Sequence, residues 1–308
     1  MTLLITGASG LLGANLVLAA LHEGKAVTAA SGSWPVRAMG VDGIVADLTV
    51  PGAAARLVEE TRPIAVINAA AVADVNRCET DREYAFRLNA EVPAELAAAC
   101  EKQGARFIHL STDAVFAGDC DHPYSEDDPT QPKNQYGRAK LAGEQAVLAA
   151  CPASLVVRTV MYGWNAQPKE SLGEYFLTRL SRGQRVPGFS DVFMTPILAS
   201  DLARLLLRLI RLDVSGVLHV SGRECVSKAD FGRRIALAFG LESELVEFVS
   251  ILDDPPAAPR ALRPCLRVDR AEMLLGRMPS VDEGVARFRQ TYDDGLPSRL
   301  RSLLEAVD

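Results

Sequence analysis

Short apolar runs alternate with amphipathic segments through the first half of the chain. The apolar runs span residues 2–6, 26–30, 64–68, 106–111 and 154–158, with a further short one at 43–46. The segments with helical periodicity span residues 11–23, 52–61, 82–103 and 136–150. Buried strands separated by amphipathic helices indicate βαβ units, in which a parallel sheet is covered on both faces. The pattern predicts an α/β fold, a Rossmann-type doubly wound parallel sheet.

The alternation loosens after about residue 160, where Gly and Pro become frequent. A helix at about 200–212 and a strand at 217–220 resume it, and a proline-rich loop follows at 254–264. We therefore expect two domains that interleave in sequence. They are a dinucleotide-binding domain of residues 1–160 plus about 196–222, and a smaller, mixed α/β C-terminal substrate domain of about 161–195 plus 223–308.

Composition excludes several classes of function. Hydrophobic residues make up 48% of the 308 residues and charged residues 23%, which is typical of a globular protein with a core. The net charge of −6 and the lack of a basic block argue against nucleic acid as a partner. No signal-peptide pattern and no run of about 18 apolar residues is present, so we expect no membrane span.

The cysteines and histidines show no patterned spacing. The six cysteines form no CxxC pair, and the four histidines form no HExxH motif and no cluster. This scatter is typical of reduced thiols in a cytoplasmic protein, so we expect free cysteines, no metal site and a cytoplasmic location.

A glycine-rich turn opens the first predicted helix. Gly7, Gly10 and Gly13 follow an apolar strand at a GxxGxxG spacing. In such a turn the glycines permit a tight bend, a close approach of the backbone to a pyrophosphate, and close packing of helix on strand. The pyrophosphate would bind the free N–H groups at the helix N-terminus. We include Ser9, Leu11 and Leu12 of the same turn among the candidate cofactor-binding residues.

A second motif carries acid–base chemistry. Tyr136 and Lys140 are four residues apart, so both lie on one face of a helix. Lys140 is expected to lower the pKa of the phenol and to bind the ribose of a nicotinamide cofactor, while Tyr136 gives a proton to a carbonyl oxygen. Thr112 ends a predicted strand, at the sheet edge where open α/β folds bind ligands, and supplies a hydroxyl for that oxygen.

These motifs resemble those of the extended short-chain dehydrogenase/reductases. The GxxGxxG turn, STDAVFAG and PKNQYGRAKLAGE are similar to the dTDP-4-dehydrorhamnose reductase branch, and NAAAVADVNRCETDREYAFRLNAEVPAELAAAC extends the likeness. Later segments, including GVLHVSGRECVSKADFGRRIA, resemble that branch in the same order, so the likeness spans nearly the whole chain. It implies an NAD(P)-dependent oxidoreductase in dTDP-rhamnose biosynthesis, with Thr112, Tyr136 and Lys140 as the catalytic residues.

The cofactor is expected to be NADP(H), with NAD(H) as the alternative. The end of the second strand, residues 27–33, has no acid to bind a ribose 2′-hydroxyl. Ser31, Ser33 and Arg37 are candidates to accept a 2′-phosphate, although Arg37 is equally well read as a solvated loop residue. The resemblance further implies adenine contacts from Asp47 and Leu48. It also implies a small-residue turn beneath the cofactor ribose, formed by Ala69, Ala70 and Ala71.

The substrate side is less specific in the sequence. The candidate residues are Val75, Thr112, Trp164, Arg260 and Arg263. Guanidinium groups match the geometry of a diphosphate, as a nucleotide-diphosphate sugar would require. The alternatives are that both arginines are solvated on a proline-rich loop and that Trp164 is a local packing residue.

The leading hypothesis is an NADP(H)-preferring reductase of a 4-keto-6-deoxy nucleotide sugar, with hydride from the nicotinamide and a proton from Tyr136. A nucleotide-sugar epimerase or dehydratase is the alternative on the same scaffold. Dehydratases of the family carry Thr-Asp-Glu where this chain has Thr112, Asp113 and Ala114. A third hypothesis is a non-catalytic NADP-binding subunit resembling the regulatory subunit of methionine adenosyltransferase. The resemblance makes a homodimer, formed through the helices at 82–103 and 136–150, the default expectation.

Overall fold

The computed structural model describes residues 2–253 and 255–304 and contains a central parallel sheet. Asp254, the first residue of the predicted proline-rich loop, and residues 305–308 lie outside the described residues. In chain order the strands are β1 (Thr2–Thr6), β2 (Ala26–Ser31), β3 (Val41–Val45), β4 (Ala65–Asn68), β5 (Arg106–Thr112), β6 (Leu155–Thr159), β7 (Met161–Tyr162), β8 (Val186–Phe189), β9 (Phe193–Met194), β10 (Ile197–Leu198), β11 (Gly216–His219), β12 (Val226–Ser227) and β13 (Val246–Val249).

Helices cover both faces of the sheet. In chain order they are α1 (Leu11–His22), α2 (Ala53–Thr61), α3 (Val75–Thr80), α4 (Arg82–Phe86), α5 (Val92–Gln103), α6 (Gln135–Ala150), α7 (Leu172–Leu180), α8 (Ala199–Leu209), α9 (Lys228–Ala238), α10 (Asp269–Leu275), α11 (Val281–Asp293) and α12 (Leu296–Ser302). The Rossmann-type fold predicted from the sequence is confirmed, and the ends of the predicted elements differ from the observed ones by up to three residues.

The sheet has seven strands in the described chain, in the order β11-β6-β5-β4-β1-β2-β3. Every neighbouring pair is parallel. Side chains alternate between the two faces, so Leu3 and Ile5 of β1 join the core beneath α1 and α8, while Leu4 joins the core beneath α2 and α5. Both faces are therefore buried, which explains why these strands read as continuous apolar runs.

Strand β11 reaches the sheet from the second half of the chain. It follows α8 and pairs with β6, with Val217 opposite Val156. The sheet is thus completed by residues more than fifty positions beyond β6. Short strands β8 and β13, together with α7, α9 and α11, pack outside the sheet around aromatic side chains such as Phe176, Phe231 and Phe288.

The predicted helix at 82–103 contains a π-helical turn, Arg87–Glu91, between α4 and α5. Pro93 has no N–H and therefore cannot donate to the Asn89 carbonyl four residues earlier. The Asn89 side chain points inward, where it accepts from Val72 N at 3.0 Å and donates to Val72 O at 3.0 Å. The freed Asn89 carbonyl lies directly against Gly143 of α6, where any Cβ would overlap it.

The expectation that all six cysteines are free is wrong for two of them. Cys225 and Cys265 form a disulfide, with Cα atoms 5.7 Å apart. They are 40 residues apart in sequence, so the pairing depends on the tertiary fold and not on local spacing. The other four, Cys78, Cys100, Cys120 and Cys151, are free.

Within the described part of the chain, no helix combines the length and the apolar character that crossing a membrane requires.

Replacing Gly143 by Ala tests the contact between α6 and the π-helical turn. An added methyl group would overlap the Asn89 carbonyl, so we expect a loss of about 1–3 kcal/mol in the free energy of unfolding, as in other overpacked cores. In an open helix the same change would stabilise by roughly 1 kcal/mol. Denaturant titration measures the difference, with Gln145→Ala on the exposed face of α6 as the control. An unchanged or increased stability would contradict the close contact.

Candidate active site

A cleft of about 940 Å³ runs along the carboxyl ends of β1, β2, β4 and β5. It brings together predicted residues from separate parts of the sequence. Those that line it are Gly7, Ser9, Gly10, Leu11, Leu12, Ser31, Asp47, Leu48, Ala69, Ala70, Ala71, Thr112, Tyr136 and Lys140. This is the edge of the sheet where open α/β folds place their ligands.

The glycine-rich turn fits a pyrophosphate. Gly7 has a φ of +64°, and a Cβ there would come within 2.6 Å of Ala70 N. Gly13 lies behind the turn, where a Cβ would overlap the Gly7 carbonyl oxygen. Helix α1 begins after Gly10 without a side-chain cap, so its first N–H groups face the cleft. The turn therefore offers backbone donors to an anion, and its glycines bring no side chain of their own.

The end of β2 carries hydroxyl groups and no carboxylate. Ser31 is buried, and its Oγ has no hydrogen-bond partner among the described residues. Ser33 and Trp34 also line the cleft, and Trp34, which the sequence analysis missed, is 43% exposed. The structure does not place Arg37 where it was expected to meet a 2′-phosphate. Its side chain is exposed and outside the cleft lining, and its backbone N–H donates to Leu303 O at 2.6 Å.

Asp47 lies beneath the same end of the cleft. Its carboxylate accepts from the Thr49 hydroxyl at 2.6 Å and from Thr49 N at 2.9 Å. These two hydrogen bonds, the hydroxyl first, hold the pKa of Asp47 below its usual value. The carboxylate is thus ionised and fixed by its own turn.

Tyr136 and Thr112 meet at the far end of the cleft. The Thr112 hydroxyl donates to Asp113 Oδ1 at 3.0 Å and accepts from Ala114 N at 3.1 Å. Burial raises the pKa of Tyr136 to about 12; the Thr112 hydroxyl opposes the rise and the negative charge of Asp113 adds to it. This rise is opposite in direction to the lowering of the phenol pKa that was expected from Lys140. A phenol that keeps its proton at neutral pH is suited to donate it.

The first turn of α6 is held from both sides. Asn134 caps the helix by accepting from Gly137 N at 2.8 Å, and its amide donates to Pro259 O at 2.8 Å. The Glu79 carboxylate accepts from Gln135 N at 2.8 Å. These contacts fix the position of Tyr136 relative to the strand that carries Thr112.

Lys140 is turned into the sheet, where it is 2% exposed. Its ammonium nitrogen lies 2.6 Å from Leu110 O and 3.3 Å from His109 Nε2. Burial lowers the pKa of Lys140 to about 8, against an opposing effect of the Glu144 carboxylate. The sequence analysis missed His109, although its place two residues before Ser111, on the same face of β5, was a signal.

One turn further along α6, Glu144 forms a buried ion pair with Arg158 of β6. The Arg158 guanidinium donates to Glu144 Oε2 at 2.7 Å and to Oε1 at 2.9 Å, and Ser111 Oγ donates to Oε1 at 2.5 Å. Both charged side chains are at most 5% exposed. This bidentate pair ties α6 to β6 directly beneath the residues that line the cleft.

The structure separates the predicted substrate residues. Val75 begins α3 and is outside the cleft lining. Trp164 is not available to the substrate, as one of the two expectations had it. It is 4% exposed, its ring stacks on Phe288 at 4.1 Å, and its Nε1 donates to Thr291. It is a packing residue because α11 covers it.

Arg260 and Arg263 are half-buried rather than solvated, and both are outside the cleft lining. Arg260 Nη2 donates to Asn76 Oδ1 at 3.3 Å, and burial lowers the pKa of Arg260. The Arg263 guanidinium lies 4.4 Å from the centre of the Phe193 ring. Arg260 Nη1 and Arg263 Nε are buried without a hydrogen-bond partner among the described residues, so each has a donor to offer.

A loop that the sequence analysis did not assign also lines the cleft. It includes Asn165, Gln167, Lys169 and Glu170, and Gln167 Nε2 donates to Ser9 Oγ at 3.1 Å across the glycine-rich turn. Its Gly and Pro content indicated only an irregular segment. Among the described residues, no group of three or more His, Cys, Asp or Glu side chains is placed to hold a metal ion.

Comparison with known proteins gives this geometry a context. A probable low-salt glycan biosynthesis reductase of Haloferax volcanii is 36% identical over 94% of this chain and 98% of its own length. A dTDP-4-dehydrorhamnose reductase of Mycobacterium tuberculosis is 38% identical over 84% of this chain and 82% of its own length.

A solved structure shows the same fold. The dTDP-4-dehydrorhamnose reductase of Bacillus anthracis, in complex with NADP, superimposes with a TM-score of 0.83 at 26% identity, covering 94% of this chain and 99% of that one. The family model described as the RmlD substrate binding domain matches residues 1–293. The chain therefore belongs to the RmlD substrate-binding domain family.

Proposed function

We propose that this protein is an NADP(H)-preferring reductase of a 4-keto-6-deoxy nucleotide sugar. The observation that carries the proposal is the single cleft that joins the glycine-rich turn to Thr112, Tyr136 and Lys140. A dinucleotide bound along it would have its pyrophosphate at the turn and its nicotinamide beside the hydroxyl groups. The relatives named as reductases of such sugars support the assignment.

The chemistry divides between cofactor and protein. When bound, NADPH supplies the hydride. Thr112 binds the carbonyl oxygen of the sugar, and Tyr136 gives that oxygen a proton as the hydride reaches the carbon. Because the pKa of Tyr136 is about 12, the phenol is protonated throughout the neutral range and is always ready to donate.

The preference for NADPH is supported by the end of β2. A carboxylate there would repel a 2′-phosphate, and none of Ser31, Gly32, Ser33 and Trp34 carries one. The unpartnered Ser31 hydroxyl is a donor for the phosphate or the ribose. Arg37 does not support the preference, because it lies outside the cleft lining.

The sugar nucleotide is assigned to the side of the cleft beyond Thr112. Arg260 and Arg263 lie outside the cleft lining, but each retains a buried donor without a partner among the described residues, which suits them to a diphosphate. We keep the division expected from the sequence as a prediction: residues 1–160 and about 196–222 bind the cofactor, and most of the remainder binds the sugar nucleotide. The loop at 165–170 is an exception, because it lines the cofactor cleft. A homodimer through α5 and α6 stays a prediction, as does the cytoplasmic location.

The residue at position 114 favours reduction over dehydration as the reaction type. Dehydration needs a second carboxyl group beside the hydroxyl, and Ala114 stands there, its N–H bound to Thr112 Oγ1. Burial raises the pKa of the remaining acid, Asp113, to about 6. An epimerase uses the same three catalytic residues, and stoichiometry distinguishes it from a reductase.

Tyr136→Phe removes the proton donor and keeps the ring. We expect turnover to fall by about 10²–10⁴-fold, the usual contribution of general acid catalysis, with cofactor affinity little changed. Steady-state kinetics and calorimetry measure the two effects. Tyr175→Phe, a tyrosine outside the cleft lining, is the control and should retain full activity. Near-normal turnover in Tyr136→Phe would refute the role.

Calorimetry tests the cofactor preference. We expect NADPH to bind more tightly than NADH. Ser33→Asp should weaken NADPH binding by about tenfold, which roughly 1.4 kcal/mol of charge repulsion at a partly exposed site would cause, while leaving NADH unaffected. Arg37→Ala is the matched control and should change neither affinity. Equal binding of both cofactors by the wild type would contradict the assignment.

Stoichiometry tests the reaction type. With a 4-keto-6-deoxy nucleotide sugar, we expect one NADPH to be oxidised for each sugar reduced. The loss of nicotinamide absorbance measures the NADPH consumed, and chromatography measures the reduced sugar. Protein that retains NAD through purification and interconverts two sugars without an absorbance change would identify an epimerase. Binding of NADPH without turnover of any such sugar would favour the regulatory subunit.

A further inference from the structure

A buried row of hydrogen bonds ends at Lys140. Thr6 Oγ1 donates to Asn68 Oδ1 at 2.6 Å, Asn68 Nδ2 lies 3.0 Å from His109 Nδ1, and His109 Nε2 lies 3.3 Å from Lys140 Nζ. Thr6, Asn68, His109 and Lys140 are each at most 2% exposed. Thr6, Asn68 and His109 are buried beneath the cleft, so the direction of each hydrogen bond among them is set by the neighbouring protein atoms. Lys140, at the end of the row, also lines the cleft.

The direction is fixed at Asn68. Ala70 N, a backbone donor, lies 3.2 Å from Asn68 Oδ1, so that atom is the amide oxygen and the NH₂ group faces His109. An amide NH₂ can only donate. His109 Nδ1 therefore accepts and carries no proton.

The proton of a neutral imidazole must then be on Nε2, the atom that faces Lys140. Burial and the nearby Lys140 charge hold the pKa of His109 well below its usual value, so the ring is neutral. An ammonium at Lys140 would meet this N–H donor to donor, whereas an uncharged amine would accept from it.

We propose that His109 is a positioning residue that holds its Nε2–H against Lys140 and favours the uncharged amine over the ammonium. The other groups around Lys140 are Tyr136 and Glu144 on its own helix. Behind them are Arg158 of β6, paired with Glu144, and Asp113 and Cys78, which act on Tyr136. The Glu144 carboxylate favours the Lys140 ammonium, whereas the His109 Nε2–H favours the amine.

The consequence for turnover rests on the proposed function. Each reduction takes one proton from Tyr136, and the resulting phenolate must regain one. The Lys140 ammonium, one helical turn away, gives up a proton for this purpose and becomes the amine, which accepts a hydrogen bond from His109 Nε2–H while His109 keeps its proton. Water in the cleft then supplies the proton that restores the ammonium. With a Lys140 pKa of about 8 and a Tyr136 pKa of about 12, proton transfer from Lys140 to the phenolate is more favourable than it would be from a lysine at its usual pKa of 10.5.

Nuclear magnetic resonance tests the arrangement on the protein alone, without cofactor or sugar. The chain has four histidines and six lysines, so single substitutions assign the His109 ring nitrogens and the Lys140 side-chain carbon. In the wild type we expect a proton on His109 Nε2 and none on Nδ1, and a Lys140 pKa of about 8. A proton found on Nδ1 would overturn the proposal.

Variants separate a hydrogen-bond effect from a packing effect. His109→Leu removes the donor, so the Lys140 pKa should rise by about one unit. His109→Gln can accept from Asn68 and donate to Lys140, and should keep the wild-type value. Phe107→Leu, a buried aromatic on the same face of β5, is the packing control and should also keep it. An unchanged Lys140 pKa in His109→Leu would refute the proposal.

A further variant serves if His109→Leu does not fold. Asn68→Asp keeps the shape but cannot donate, so the His109 proton should move to Nδ1 and the Lys140 pKa should rise. A proton that stays on Nε2 would again refute the proposal.

In turnover, the alkaline limb of the kcat profile should shift to higher pH in His109→Leu, with KM for the sugar unchanged. Because the magnetic resonance measurements involve no turnover, failure of the proposed function leaves them interpretable.

Discussion

Helix α6 has a constraint that the rest of the site depends on: it buries polar side chains on the face that meets the sheet. Tyr136, Lys140 and Glu144 follow one another at four-residue intervals, and burial of such groups is costly unless each has a partner. Tyr136 is partly exposed to the cleft beside Thr112, Lys140 has the Leu110 carbonyl, and Glu144 has Arg158. The partners come from β5 and β6, so the helix can pack only in the position that aligns all three.

Close approach makes that position possible. Gly143 lets α6 rest on the Asn89 carbonyl, and Gly137 does the same against the Ala114 carbonyl at the end of β5. The π-helical turn belongs to this arrangement, because it presents the Asn89 carbonyl that Pro93 cannot satisfy. The positions of Tyr136 and Lys140 and the packing of the core are therefore set by the same contacts.

Local patterns predicted most of the fold and many of the residues that line the cleft, because those patterns are encoded within a few residues. The glycine-rich turn and the Tyr136–Lys140 spacing each lie within one strand–helix junction or one helical turn. The misplaced residues depend on contacts distant in sequence. Trp164 is covered by α11, and Cys225 meets Cys265 across 40 residues. His109 was missed because a single polar residue within an apolar strand does not reveal that Lys140 of α6 packs against it.

Strand β11 has a consequence for how this chain can be made or divided. It covers the free edge of β6, and it is synthesised only after the irregular segments and α8. A fragment that stops after β6 would expose unpaired backbone groups along a fully buried apolar strand, the situation that leads to edge-to-edge aggregation. The nucleotide-binding half is therefore not an independent module that can be excised at a single cut. During synthesis its sheet stays open until the ribosome has passed residue 219.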